Sequence, residues 1–405
     1  MTSNSEQLAV QERVALPTET MTIMMGPVHP AMHGTVRVVV TVDGERIVHA
    51  DVQVGYLHRG FEKECESVTW GQVFPYTDRL NYVSPILNNV GYAMAVEKLL
   101  DLEVPERAEY IRVISGELSR IGDHLTCIAA IAMEMGAFSI FLYCVRARDI
   151  VYDRLEELTG ARVTHAFCRV GGVKDDIPEG WLEKVRGGFD EITGVIDDID
   201  GLLTKNRIFL DRTQGVGVVS MADAISSGFT GPVGRASGID YDVRKDHAYG
   251  VYDRLDFDVP VMDAGDTFCR YYVRMEEVRQ SLRIIDQAID QIEPGPVKAE
   301  GAHRVVLPTK NETYNTIEGM IRHFKLVVDG IQVPEGEAYT YVEGGNGELG
   351  FYCVSDGSGV PVKVRCRPPC FIVTGQLGNM LVGHTLADVV PIFGSLNMIG
   401  GECDR

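Results

Sequence analysis

Apolar and polar residues change period along the chain, and the changes mark out its elements. Residues 22–58 carry the run "RVVVTVDGERIVHADVQVGYL", in which β-branched residues alternate on either side of Asp43-Gly44, a hairpin dipeptide. This pattern predicts strands and turns. From about residue 62 to residue 210 the period lengthens. Ile111, Ile114, Leu118, Ile121 and Leu125 recur at three- and four-residue steps, as do Val185, Phe189, Ile192, Ile196, Ile199 and Leu203. Each set predicts one face of a helix. A Gly-rich passage, Arg212–Lys245, precedes a second long helix marked by Phe268, Tyr271, Met275, Val278, Leu282, Ile285, Ile289 and Ile292 and stopped by "EPGP". Its near-heptad seam is read as packing within the chain's own bundle. Asn346–Arg367 predicts two strands joined by Asp356-Gly357-Ser358-Gly359. The expected architecture is α+β, a central helical bundle between two strand-bearing regions. Its segments are a polar arm (1–21), an N-terminal β region (22–61), a helical bundle (62–210), a Gly-rich segment with a long helix (211–300) and a C-terminal α/β region (301–405).

One apolar stretch is long enough to span a bilayer. Leu125–Val145, "LTCIAAIAMEMGAFSIFLYCV", carries a single charge, Glu134, near its middle. A central carboxylate costs roughly 2.5–3.5 kcal/mol in lipid. That cost, with Gly136 and the flanking Asp123 and Arg146, favours a buried helix of a soluble domain. A carboxylate in the apolar centre of such a helix has to be paired, protonated or functional.

The chain's net charge is −20, which disfavours non-specific binding to nucleic acid or to anionic lipid. Its nine cysteines are scattered, and no C-x-x-C occurs. A disulfide framework or a self-contained four-cysteine metal site is therefore not expected, and a reducing compartment fits best. The N-terminus lacks a basic region followed by an apolar run, so it does not read as a secretory signal. "GVGVVS" lacks the third glycine of a dinucleotide fingerprint, and no P-loop is present.

Candidate chemistry starts in Gly26–Thr35, "GPVHPAMHGT", where His29 and His33 lie four apart with Pro30 and Gly34 among them. Those two residues argue against a helical metal site. No third ligand at suggestive spacing and no H-E-x-x-H accompanies them. His29 is expected to cap or brace a turn set by Pro30. His33, just before Gly34 at the start of a strand, is placed on a loop tip where a side chain can face a cavity. "PYTDRLNYVSP" concentrates Tyr76, Asp78, Arg79 and Tyr82 between two prolines. Read from residues alone, this is a helix start with a surface Asp–Arg pair and core tyrosines, or a polar functional cluster.

Taken together, "GPVHPAMHGT", "GYLHRGFEK", "PYTDRLNYVSP", "AVEKLL", "RIGDHL", "RVGGV", "NRIF", "RTQGVGV", "GIDYDVRK", "DFDVP" and "ELGFYCVSDG" resemble one family. It is the D, or 49 kDa, subunit of NADH:quinone oxidoreductase, respiratory complex I. The matches run in order from about residue 22 to the terminal "DR". The resemblance implies a scaffold related to the [NiFe]-hydrogenase large subunit. Hydrogenases hold nickel and iron through two cysteine pairs, and here the corresponding stretches, "GYLHRGFEK" and "GGECDR", contain no C-x-x-C. Thiolates are what a soft centre requires, so the scaffold is implied without a metal.

The resemblance further implies one wall of a quinone headgroup chamber. His33 and Tyr82 would hydrogen-bond the two quinone carbonyls, His29 and Gly34 would shape the loop, and Arg59 would lie beside the terminal iron–sulfur cluster of a neighbouring subunit. Glu134, in "EMGA", stands where the family usually has Asp, as the partner that orients His33. The following "FSIF" lacks the T-P-F often seen there, which removes one reason for the helix to kink. The expected activity is quinone reduction in the peripheral arm of a proton-translocating enzyme, on the cytoplasmic side of a bacterial inner membrane. No metal or flavin is expected on this chain; NAD and FMN would be bound elsewhere in the complex. Expected partners are the terminal iron–sulfur-cluster subunit, a C-type neighbour and the membrane-arm quinone-channel subunit, with no nucleic acid. The rival readings are a ferredoxin- or hydrogen-linked complex on the same scaffold, and a purely structural subunit.

Overall fold

The computed structural model describes residues 19–405, so the polar arm expected over residues 1–21 lies almost wholly outside the described residues. The N-terminal strands form an antiparallel sheet in the order β1 (Met21–Met25), β2 (Arg37–Asp43) and β3 (Arg46–Gln53). Asp43 pairs with Arg46, which makes Gly44-Glu45 the hairpin loop. Val38, Val40 and Val42 point inward with the period of two that a half-buried strand requires. This sheet does not enclose its own core. It shares one with C-terminal helices α7 (Pro369–Leu381) and α8 (Val389–Leu396), through Leu377, Leu381, Ile392 and Phe393.

The bundle is built from α1 (Pro85–Leu100), α2 (Glu106–Glu134), α3 (Phe138–Thr159), α4 (Phe189–Ile199) and α5 (Thr267–Gln291). The predicted stripe on α2 is real, but α2 has no solvent face along it: every residue from Ile111 to Leu125 is buried. The stripe from Val185 to Leu203 is also buried apart from the partly buried Phe189, but it is not one helix. A break at Gly188 precedes α4, and a π turn, Asp200–Thr204, follows it. A two-residue hairpin, β4 (Cys168–Arg169) with β5 (Gly172–Val173), interrupts the helical region.

The apolar stretch Leu125–Val145 is likewise two helices. Gly136 adopts φ +87°, the left-handed conformation that ends helices, and α2 stops at Glu134 before α3 starts at Phe138. Glu134 therefore lies at a helix end, not in the middle of a buried helix as its position in the sequence suggests. Among the described residues no helix is long and apolar enough to cross a membrane.

The C-terminal sheet has three antiparallel strands, β6 (Gly336–Gly344), β7 (Gly347–Ser355) and β8 (Lys363–Arg367). The last two are the predicted pair. β6 is an additional strand that pairs with β7 along its whole length. An amphipathic helix, α6 (Ile317–Val328), precedes the sheet, and a short helix, α9 (Gly400–Asp404), follows α8.

Because α2 is buried all round, its polar residues have to be satisfied inside the protein. Glu117 receives Arg120, Arg244, the Tyr252 hydroxyl at 2.6 Å and the Ser281 hydroxyl at 2.6 Å. His124 meets Glu277 of α5 at 2.7 Å. Arg235 closes the network by donating to Glu277 at 2.7 Å and to Glu343 of β6 at 2.9 Å. The surrounding guanidinium groups hold Glu117 at about 2 against the opposing effect of burial. Bundle and C-terminal sheet are thus joined by charge as well as by packing. Arg235→Met is expected to leave three buried carboxylates, Asp242, Glu277 and Glu343, short of a cation and to lower stability by about 3–5 kcal/mol. Urea unfolding of the isolated subunit measures this directly.

Candidate functional site

The loop before β2 carries the first group of candidates. Pro30 starts a single 3₁₀ turn, Pro30–Met32, and His29 precedes it as its cap. His29 Nδ1 accepts from the Ala31 amide at 3.2 Å, the bracing role expected from Pro30. His33 then takes φ +52° and Gly34 φ +76°, a left-handed pair that turns the chain sharply into β2. The His33 ring emerges beside α8, with its centroid 5.9 Å from that of Phe393. Its Nε2 lies 2.7 Å from Glu134 Oε1. The His33 side chain is 39% exposed and that of Glu134 only 7%, so the carboxylate backs the imidazole from inside. Gly394 leaves the space for it, since a Cβ there would stand 3.0 Å from Glu134 Oε2. That second oxygen is buried and has no hydrogen-bond partner among the described residues.

Tyr82 lies in the turn between Leu80 and α1. Asn81 Oδ1 accepts from the amides of Val83 (3.1 Å) and Ser84 (3.2 Å), which fixes that turn locally. The Tyr82 side chain remains accessible, at 36% exposed. Partial burial raises its phenol pKa, with the Cys370 thiol adding to the shift, while Arg59 and the Gly400 backbone oppose it. The surface pair read from Asp78 and Arg79 does not form. Asp78 is fully buried, accepts from Asn89 at 2.7 Å, and is pushed up to about 6 by its burial. Arg79 is exposed and turns back onto the carbonyl of Pro75. Tyr76 is only partly buried.

Arg59 stands in a third loop and donates to the Arg79 carbonyl at 2.6 Å. The same loop grips α9. Asp404 accepts from the amides of Gly55 (2.9 Å) and Leu57 (2.7 Å), and Glu62 lies 3.4 Å from Arg405. Gly400 and Gly401 make the contact close. A Cβ on Gly400 would stand 2.6 Å from Thr35 Cγ2, and one on Gly401 would stand 2.3 Å from the Arg79 carbonyl oxygen. The His33 loop, the Arg59 loop and the Tyr82 turn therefore converge on one C-terminal segment. No hydrogen bond joins His33 to Tyr82 directly among the described residues. Sequence reasoning missed Phe393, Gly394, Gly400, Gly401 and Glu402; the Gly400-Gly401 pair was the only local sign of close approach. Among the described residues no three His, Cys, Asp or Glu side chains converge to hold a metal, and all nine thiols are buried.

The family model for the respiratory-chain NADH dehydrogenase 49 kDa subunit matches residues 134–405. A D subunit of NADH-quinone oxidoreductase from Sorangium cellulosum (strain So ce56) is 57% identical over 391 residues, 96% of each chain. The D subunit of Myxococcus xanthus (strain DK1622) is 55% identical over 390 residues, covering 96% of this chain and 94% of that one. The chain belongs to the D (49 kDa) subunit family of NADH-quinone oxidoreductase, complex I. As a D subunit it is one component of that electron-transport enzyme, and the other subunits of the complex are its partners.

Within this D subunit, α9 also carries an unusual acid. Glu402 is buried, accepts from the Cys370 amide at 3.0 Å, and is pushed up to about 7 chiefly by its burial. A carboxyl whose pKa is higher in the folded chain than in the unfolded one favours folding while it is protonated. Its contribution is complete below about 4.5 and is lost as pH rises through about 7. Glu402→Gln is expected to remove up to about 3 kcal/mol of the fall in stability over that window. Urea unfolding of wild type and variant at either end of the window tests it; Asp78 and Glu343 retain a slope of the same sign.

Proposed function

We propose that this face of the D subunit is one wall of a quinone headgroup chamber, and that His33 and Tyr82 donate to the two quinone carbonyls. The observation that carries the reading is the 2.7 Å contact between a half-exposed imidazole and a carboxylate buried behind it. A histidine braced from the inside presents its other ring nitrogen outward in a fixed direction. Tyr82 supports the reading as an accessible hydroxyl on a turn that meets the same C-terminal segment. Two-electron reduction of a quinone builds negative charge on both oxygens, and an oxyanion in an apolar chamber is costly unless donors already face it. The direction of its shift favours the neutral phenol, which suits Tyr82 as a hydrogen-bond donor.

Glu134 holds His33 and can return a proton to it. The longer side chain in place of the usual Asp suits an acid at the end of α2 that has to reach across Gly394. His29 and Gly34 shape the loop. Arg59, exposed beside Gly401, offers its cation to the cluster carried by a neighbouring subunit, whose reduced form a positive charge stabilises. The docking of "GYLHRGFEK" on "GGECDR" supports a hydrogenase-like scaffold, in which a side-chain clamp through Asp404 and Glu62 occupies the place of a metal site. On this reading the protein sits peripherally on the cytoplasmic side of a bacterial inner membrane. Its neighbours are the terminal iron–sulfur-cluster subunit, a C-type chain and the membrane-arm quinone-channel subunit.

In membranes containing the assembled complex, Tyr82→Phe is expected to lower NADH:quinone activity by about tenfold or more. NADH:ferricyanide activity, which draws electrons upstream, should not change. Quinone reduction near the wild-type rate would overturn the assignment and favour a purely structural subunit.

A further inference from the structure

Asp123 is a buried carboxylate on α2 that, among the described residues, takes part in none of the ion pairs formed by its neighbours. His124, the next residue, turns away toward Glu277. Asp123 itself is fully buried and faces the Tyr82 turn. Its Oδ2 accepts from Asn81 Nδ2 at 2.9 Å and from the Ser84 hydroxyl at 2.7 Å. Its Oδ1 accepts from Asn397 Nδ2 at 2.7 Å. The two donors on Oδ2 bracket Tyr82 in the sequence, and the donor on Oδ1 caps α8, the helix that carries Phe393 and Gly394. The β6–β7 turn closes the remaining side, where a Cβ on Gly345 would stand 2.0 Å from Oδ2.

The donors form an ordered chain. Asn397 Nδ2 also donates to Asn346 Oδ1 at 2.7 Å, and Asn346 Nδ2 donates to Cys370 Sγ at 3.2 Å. Both amides therefore turn their NH₂ groups the same way, and a carboxylate that only accepts dictates that orientation. A buried carboxylate held by neutral donors alone is costly, and apolar residues of similar volume would pack a helix more cheaply. What the arrangement supplies is position. It ties the Tyr82 turn, α2 and the end of α8 to a single atom group.

Resting on the quinone reading above, we propose that Asp123 is the positioning residue for Tyr82, fixing the phenol against the C-terminal segment through Asn81, Ser84 and Asn397. An amide at position 123 has one accepting oxygen instead of two, and its own NH₂ would oppose at least one of the three donors. The turn would loosen, and the Tyr82 phenol would lose its fixed position against the C-terminal segment.

The test uses the assembled complex in membranes, a short-chain quinone as the probe, and NADH:ferricyanide activity to normalise complex content. Asp123→Asn is expected to raise KM for the quinone by about tenfold, with a smaller effect on kcat. Ser84→Ala, which removes one donor and leaves the carboxylate, should shift KM in the same direction by less. It stands in for Asp123→Asn should that variant fail to assemble. The decisive comparison is in the Tyr82→Phe background, where either variant should add less than about twofold, because it acts through Tyr82. An unchanged KM in both variants overturns the proposal. So does an equal penalty with and without the Tyr82 hydroxyl, which would make Asp123 a general support of the fold. If Tyr82→Phe alone leaves quinone reduction intact, the quinone reading fails and takes this proposal with it. If Tyr82→Phe lowers it as expected while the cycle is additive, only the role of Asp123 fails.

Discussion

A helix enclosed on every side cannot leave a charged or polar group to water, and α2 carries Arg112, Glu117, Arg120, Asp123 and His124 within its buried length. Each of them has to be met by a partner fixed elsewhere in the fold. Arg112 takes Glu97 of α1 at 2.6 Å, Glu117 takes Arg244, and His124 takes Glu277 of α5. Packing alone would tolerate small slides of one helix against another, because apolar contacts are not directional. Hydrogen-bonded charges in a low dielectric do not tolerate them. The register of the whole bundle is thereby set from its axis outward.

Asp123 and Glu134 show how that internal order reaches the surface. They lie on the same helix, one at its buried waist and one at its end. Each supports a side chain that stands outside the core, Tyr82 in one case and His33 in the other. Glycines make the approach possible. Gly394 admits the Glu134 carboxylate, while Gly400 and Gly401 let the C-terminal backbone lie against Thr35 and Arg79. The accessible groups are few, and each is braced by buried ones.

Much of this was readable in the residues. The β2–β3 hairpin, the stripes on α2 and α5, the β7–β8 pair and the His29 cap all follow from local pattern, because each depends on neighbours a few positions away. Other features left no local trace. The polar residues of α2 look like a solvent face until the surrounding helices are known. β6 alternates Ala338, Thr340 and Val342 inward, but with tyrosines between them, so neither face reads as polar. Glu134 appeared central because composition does not show that Gly136 will adopt a positive φ. Asp78 appeared exposed because its partner, Asn89, is supplied by the next helix. The convergence on residues 399–405 joins segments more than three hundred positions apart, which no periodicity encodes.

That separation bears on how the chain reaches its native state. The sheet that launches the His33 loop buries its apolar face against α7 and α8, so a core begun near residue 25 is finished near residue 396. Closing so long a loop costs entropy before any contact compensates for it, and such topologies form slowly. Until α7 and α8 dock, the valines of β2 lack most of their cover, and an uncovered three-stranded sheet has open edges that invite mispairing. The loop that bears His33 thus depends on the same long-range closure that covers the valines of β2.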